Sequence, residues 1–100
     1  KHAAIDAASS GNNTLVAAVS GKKIRVLALF VTMTGTLVTI RFEDGADGTA
    51  LTGQMGPTAG QTIVLPFNPV GWFETSDATL LNMELSGAQS VDGALTYIEA

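Results

Sequence analysis

The sequence predicts an all-β fold, an antiparallel β-sandwich of about eight short strands with jelly-roll-like connections. Three observations carry that expectation. Apolar, β-branched runs recur along the whole chain, Gly, Asn, Asp or Pro separate them, and helical periodicity is nearly absent. With 100 residues there is material for one hydrophobic core and not for two. Residues 13–100 are therefore assigned to a single sandwich domain and residues 1–12 to an N-terminal arm.

Within the arm, residues 3–10 are Ala-rich and Ile5 is the only large apolar side chain, which suits an extended segment as well as a helical turn. Residues 14–19 form the first expected strand, closed by the turn pair Ser20-Gly21. Residues 22–33 are the longest run, and both alternating sets are apolar: Ile24, Val26, Ala28 and Phe30 on one, Leu27, Leu29, Val31 and Met33 on the other. A strand apolar on both faces is expected to be central and covered on both sides by protein. Gly35 then turns the chain. Residues 37–43 alternate, with Val38, Ile40 and Phe42 inward and Thr39, Arg41 and Glu43 outward, as a half-buried strand paired to its predecessor.

An acidic turn spans 44–48, a short strand follows at 49–52, and 53–60 reads as a surface loop with Gly53, Gly56, Gly60 and Pro57. Residues 62–67 return to strand character. Pro66 and Pro69 lack the N–H of a central ladder position and so end that strand. Residues 72–75 form a short strand, 79–86 alternate with Leu81, Met83 and Leu85 inward, and 91–99 close the domain with Leu95 and Tyr97 on one side.

Composition narrows the function. A formal net charge of -4 is the wrong sign for a domain that neutralises phosphates, so nucleic acid is not among the expected partners. The longest unbroken apolar stretch, 26–31, is far below the roughly 20 residues of a spanning helix, so no membrane partner is expected either. The chain has no cysteine, which excludes disulfides, a thiolate nucleophile and Cys-based zinc sites. It opens Lys1-His2-Ala3-Ala4 without a methionine or a hydrophobic signal region, leaving room for an initiator residue or short leader. Charged residues are 14% of the chain against about 25% in ordinary domains, which implies a surface partly covered by partners. All five basic residues, Lys1, Lys22, Lys23, Arg25 and Arg41, precede residue 42, and Asp6 is the single acid among them. Such asymmetry suits head-to-tail or symmetric contacts between copies, or docking of one end on a charged partner.

No catalytic constellation emerges, and no cofactor or metal is expected. His2 is the only histidine and stands at the chain start, where a general base would lack the group that must hold it. Glu43, Asp44, Asp47, Glu74, Asp77 and Glu84 are candidates for paired-carboxylate chemistry, but their outward or turn positions read as solvated charges. The 43–48 segment departs from the calcium-loop spacing. Asn12-Asn13-Thr14 fits the glycosylation sequon without a secretory context. Phe67, Trp72 and Phe73 cluster in one Pro-shaped corner, read as core or subunit interface in preference to a sugar platform.

Three segments, Gly21-Lys22-Lys23-Ile24-Arg25-Val26-Leu27, Pro66-Phe67-Asn68-Pro69-Val70-Gly71-Trp72-Phe73-Glu74-Thr75 and Asp92-Gly93-Ala94-Leu95-Thr96-Tyr97-Ile98-Glu99, resemble a group of small all-β virion domains of tailed bacteriophages. The resemblance covers most of the chain from Asn13 onward, and the Asn-Pro-Val-Gly-Trp-Phe segment is its distinctive part. It is closest in kind to capsid decoration (cement) proteins. The resemblance implies a sandwich on the outer capsid surface of the virion, bound to the major capsid protein and assembled as a homo-oligomer, often a trimer, with no enzymatic activity. A receptor- or glycan-binding module of a fibre or spike is the alternative. The residues expected at a subunit or capsid interface are Lys1, His2 and Ile5 of the arm, Lys22, Lys23, Arg25, Leu27 and Leu29 of the long strand, and Phe67, Trp72 and Phe73 of the corner.

Overall fold

The computed structural model describes residues 1–33, 39–56 and 60–100. The expected Gly35 turn, the Leu37–Val38 start of its strand and Pro57 lie outside the described residues. Nine strands are present among the described residues: β1 His2–Ala7, β2 Gly11–Val16, β3 Ile24–Met33, β4 Ile40–Asp44, β5 Thr49–Ala50, β6 Thr62–Leu65, β7 Phe73–Glu74, β8 Leu81–Leu85 and β9 Val91–Glu99. No helix among them is long and apolar enough to cross a membrane.

The strands form two antiparallel sheets. One has the order β1-β9-β3-β6 with β7 also paired to β3, the other β2-β8-β4-β5. The pairs β1·β9, β2·β8, β3·β6 and β4·β5 are nested like the two limbs of one long ribbon. Contacts β9·β3 and β8·β4 roll that ribbon into two facing sheets, which is jelly-roll topology. Alternate side chains from both sheets meet in a single core whose fully buried members include Ile24, Val31 and Met33 of one sheet and Ile40, Phe42 and Met83 of the other.

Three expectations are corrected. Residues 1–12 are not an arm: His2–Ala7 is an edge strand in register with β9, and Ile5 and Ala7 are buried in the core. The Ala-rich composition reflects inward positions Ala3, Ile5 and Ala7, where small side chains fit. Second, β4 does not pair with its predecessor; it pairs with β5 and β8 in the opposite sheet. Third, β3 is central but covered on one face only. Its register against β9 shifts between Val26 and Ala28, so the inward set passes from Ile24 and Val26 to Leu29, Val31 and Met33, while Phe30 is exposed. A bulge changes the phase of alternation, and a phase change looks in sequence like two apolar faces.

Ala78 has φ +53°, a left-handed conformation that a side chain disfavours by about 1–2 kcal/mol. Its N–H donates to the Lys22 carbonyl at 2.9 Å. Ala78→Gly keeps that bond and is expected to stabilise the fold by about 0.5–1 kcal/mol in urea unfolding. A lowered midpoint would show that the methyl group packs.

Candidate functional site

The two outer faces of the sandwich differ in kind. On the four-stranded sheet the outward residues Arg41, Glu43, Asn82 and Glu84 are polar and contact one another, with Asn82 Oδ1 alone of the buried side-chain polar atoms among the described residues left without a partner. Glu43 and Asn82, cross-strand partners, are both fully buried beneath this face. The Asn82 Nδ2 group donates to Glu43 Oε1 at 2.9 Å and to Asn12 Oδ1 at 2.8 Å, and Asn12 Oδ1 also accepts from the Asp47 N–H at 3.2 Å. Arg41 Nε donates to Glu43 Oε2 at 2.9 Å, and its guanidinium also faces Glu84 at 3.6 Å. The hydrogen bond to Glu43 holds the Arg41 guanidinium above its already high ordinary pKa. Glu43 is thus not the solvated carboxylate that its outward alternation suggested. Asp44, one residue on, is engaged elsewhere and accepts the Ser76 N–H at 2.8 Å, so the carboxylates of the acidic turn do not converge.

On the five-stranded sheet the outward positions form cross-strand rows with a different character. Ala4, Ala94, Phe30 and Val64 make one row across β1, β9, β3 and β6, and His2, Thr96 and Ala28 make the next. A solvated antiparallel face normally carries polar side chains at such positions. Here Phe30, Val64 and Ile98 are exposed large hydrophobic residues, and Phe67, Val70 and Trp72 extend the set along the β6–β7 loop at the same sheet.

That loop is built on the β3 bulge. The Asn68 N–H donates to the Leu27 carbonyl at 2.9 Å and the Trp72 N–H to the Val26 carbonyl at 2.8 Å, so the loop takes up carbonyls of the bulged segment. Within it, the Gly71 N–H donates to the Asn68 carbonyl at 3.0 Å and the Val70 N–H to Asn68 Oδ1 at 3.0 Å. Gly71 has φ +99°, and a Cβ there would stand 2.6 Å from Arg25 Cγ, so both the turn and the close approach of Arg25 require glycine. Trp72 donates its indole N–H to the Pro66 carbonyl at 2.8 Å, which fixes the ring and leaves it 43% exposed. Arg25, Val70, Gly71, Trp72, Phe73 and Glu74 line a shallow pocket of about 260 Å³.

The ends of this face differ in charge. Around the start of β3, Arg25 Nε lies 3.0 Å from Glu74 Oε2, Lys23 Nζ 3.8 Å from Glu74 Oε1, and Lys1 Nζ 2.8 Å from Glu99. Glu99 raises the Lys1 ammonium pKa through that hydrogen bond. At the opposite end Asp6 and Asp92 are cross-strand partners beside Thr32 and Thr62, whose hydroxyls are 2.8 Å apart.

Desolvation first, then the hydrogen bond and charge of Asp6, raise the Asp92 carboxyl above the ordinary carboxylate range. A carboxyl whose folded pKa exceeds its unfolded value contributes stability at acid pH. The contribution is lost as pH rises from the unfolded value through the raised one. In the isolated, monomeric chain Asp92→Asn is accordingly expected to raise the thermal midpoint at about pH 7 and to give no comparable gain at about pH 3. An equal gain at both would assign the effect to something other than ionisation.

The expected interface residues therefore separate. Lys1, His2, Lys22, Lys23, Phe67 and Trp72 are exposed, and Arg25 is partly so. Ile5 and Leu29 belong to the chain's own core, and Leu27 is buried at the bulge. These three side chains are not available to a partner. Phe73 is half-buried against Phe42, with ring centroids 5.3 Å apart, and serves the core more than the rim. Phe30, Val64, Val70 and Ile98 were missed; for Phe30 the signal is the change of alternation phase along β3, which turns it outward. No family model, curated protein or solved structure matches the chain.

Proposed function

We propose that this chain is a structural protein of a bacteriophage particle, a capsid decoration protein that binds the outer shell and assembles there as a homo-oligomer. The observation that carries the reading is the outer face of the five-stranded sheet, where Phe30, Val64 and Ile98 and the loop residues Phe67, Val70 and Trp72 are exposed together. Several exposed large apolar side chains on one sheet and the loop beside it are what a protein interaction site carries. The Asn68-to-Phe73 segment, the distinctive part of the resemblance, builds one border of that surface. Jelly rolls also occur among viral capsid domains, an analogy of fold that adds to the reading without carrying it. The role needs a stable body and adhesive contacts, and no reacting groups.

The test is co-sedimentation of the purified chain with capsids built from the major capsid protein encoded beside it. Stoichiometric, saturable binding is expected. Absence of binding overturns the reading.

A second reading, a glycan-binding module of a fibre, is favoured by one observation: the exposed Trp72 ring borders a pocket beside the Arg25–Glu74 ion pair. Aromatic faces paired with charged hydrogen-bonding groups hold sugar rings. Binding to a glycan array that Trp72→Ala abolishes would select it.

A further inference from the structure

We propose that the outer face of the five-stranded sheet is the contact between copies of this chain, with the Lys23–Arg25 end of one copy set against the Asp6–Asp92 pair of the next. The inference rests on the reading of this sheet as the adhesive face and names its occupant. Three observations support a second copy.

The first is the pattern of the face, where the row Ala4, Ala94, Phe30 and Val64 is apolar or small and the ends are charged. Three cations, Lys1, Lys23 and Arg25, gather at the start of β3 against the two carboxylates of Glu74 and Glu99, which leaves one positive charge in excess. At the other end Asp6 and Asp92 stand side by side, and no ion pair to either is present among the described residues. One face thus carries both halves of a complementary pair. An opposed placement of two copies puts a cation beside each acid pair, whereas a like-ended placement sets acid on acid, so the charges fix the orientation as well as favouring association.

The second observation is the acid pair itself. Two carboxylates in register on neighbouring strands destabilise one another in the isolated chain. An incoming guanidinium or ammonium relieves that repulsion, and few other partners supply it: a nucleic acid or an anionic membrane surface would add negative charge. The third is size. In a molecule measuring 38 × 26 × 21 Å, a broad side offers room for the roughly 800 Å² per partner of a standard interface.

The test uses the purified full chain and its mass by light scattering after size exclusion. Wild type is expected to form a dimer at about pH 7 and low salt, because a face set against itself closes with two copies. Phe30→Asp, at an exposed position, is expected to give a monomer with an unchanged circular dichroism spectrum. Two charge-reversed variants, Lys23→Glu with Arg25→Glu and Asp6→Lys with Asp92→Lys, are each expected to be folded and monomeric. Mixing the two is expected to restore an oligomer, because each then supplies the charges that the other presents to it. A monomeric wild type, an oligomer indifferent to Phe30→Asp, or folded charge variants that fail to associate when mixed overturns the proposal. Should a charge variant fail to fold, Phe30→Asp alone decides. The two readings fail separately: an oligomer that ignores capsids sinks decoration alone, and a monomeric wild type that binds them sinks this contact alone.

Discussion

Glu43→Ala is expected to destabilise the domain by about 1–3 kcal/mol, the cost of taking from the buried Asn82 amide one of its acceptors and from the core a fully buried side chain. The Glu43 carboxylate is fully buried, and it accepts both from Arg41 and from Asn82. Removing it strips Asn82 Nδ2 of one of two partners in a side chain whose Oδ1 already has none, which makes the amide the weakest point of the network. Total stability of a small domain is about 5–15 kcal/mol, so a loss of this size is a readily measured fraction of it. Urea unfolding followed by circular dichroism measures it. Glu43→Gln, which keeps the Asn82 acceptor and gives up only the charge toward Arg41, is expected to cost less. A triple replacement of Arg41, Glu43 and Asn82 by apolar residues is expected to cost less than the sum of the single losses, because it removes the unpaired groups together with their partners. If Glu43→Ala cost under about 1 kcal/mol, the carboxylate would be solvated rather than buried.

The contrast between Glu43 and Phe30 explains what could be read from sequence. Alternation assigned Arg41 and Glu43 to one face and Ile40 and Phe42 to the other, and the ladder agrees. Alternation does not report what lies over a face. Asn12 and the Asp47 turn reach the buried network from 70 and 35 residues away along the chain, in one case from Asn82 and in the other from Asn12. Phe30 failed for the opposite reason, since a single extra residue at Leu27 moved it from the expected covered set to an exposed one. The strands themselves were legible because β-branched runs and turn residues are local signals. Pairing partners were not, because β4 joins the other sheet after β3 and only tertiary packing decides that. The edge strand β1 was hidden by its alanines, which bury little area and so leave a weak periodic signal. Arg25, Lys23 and Trp72 were legible as candidates from residue type and position, yet their gathering at one end of a face depends on the bulge and on the loop that sits on it.

Gly93→Ala is expected to cost at least about 3 kcal/mol and to disturb both the core and the apolar face. Gly93 lies in β9 between Ile5 of β1 and Val31 of β3, at the centre of the five-stranded sheet. A Cβ there would overlap the Phe30 carbonyl oxygen and stand 2.8 Å from its carbonyl carbon and 2.9 Å from Val31 Cα. Backbone atoms in a paired strand cannot swing aside as a flexible side chain can, so relief requires β3 and β9 to part locally, with loss of ladder hydrogen bonds on both sides. The residue displaced first is Phe30, whose neighbour across the ladder is Ala94, and that pair forms the middle of the outward apolar row. Gly53→Ala is the control, because nothing lies within 4 Å of a Cβ at that position, and its effect is expected within about 0.5 kcal/mol. The same urea unfolding compares the two. Equal, small effects would mean that the β3–β9 spacing relaxes at little cost; a large effect confined to Gly93 ties the geometry of the outer face to the backbone contact beneath it.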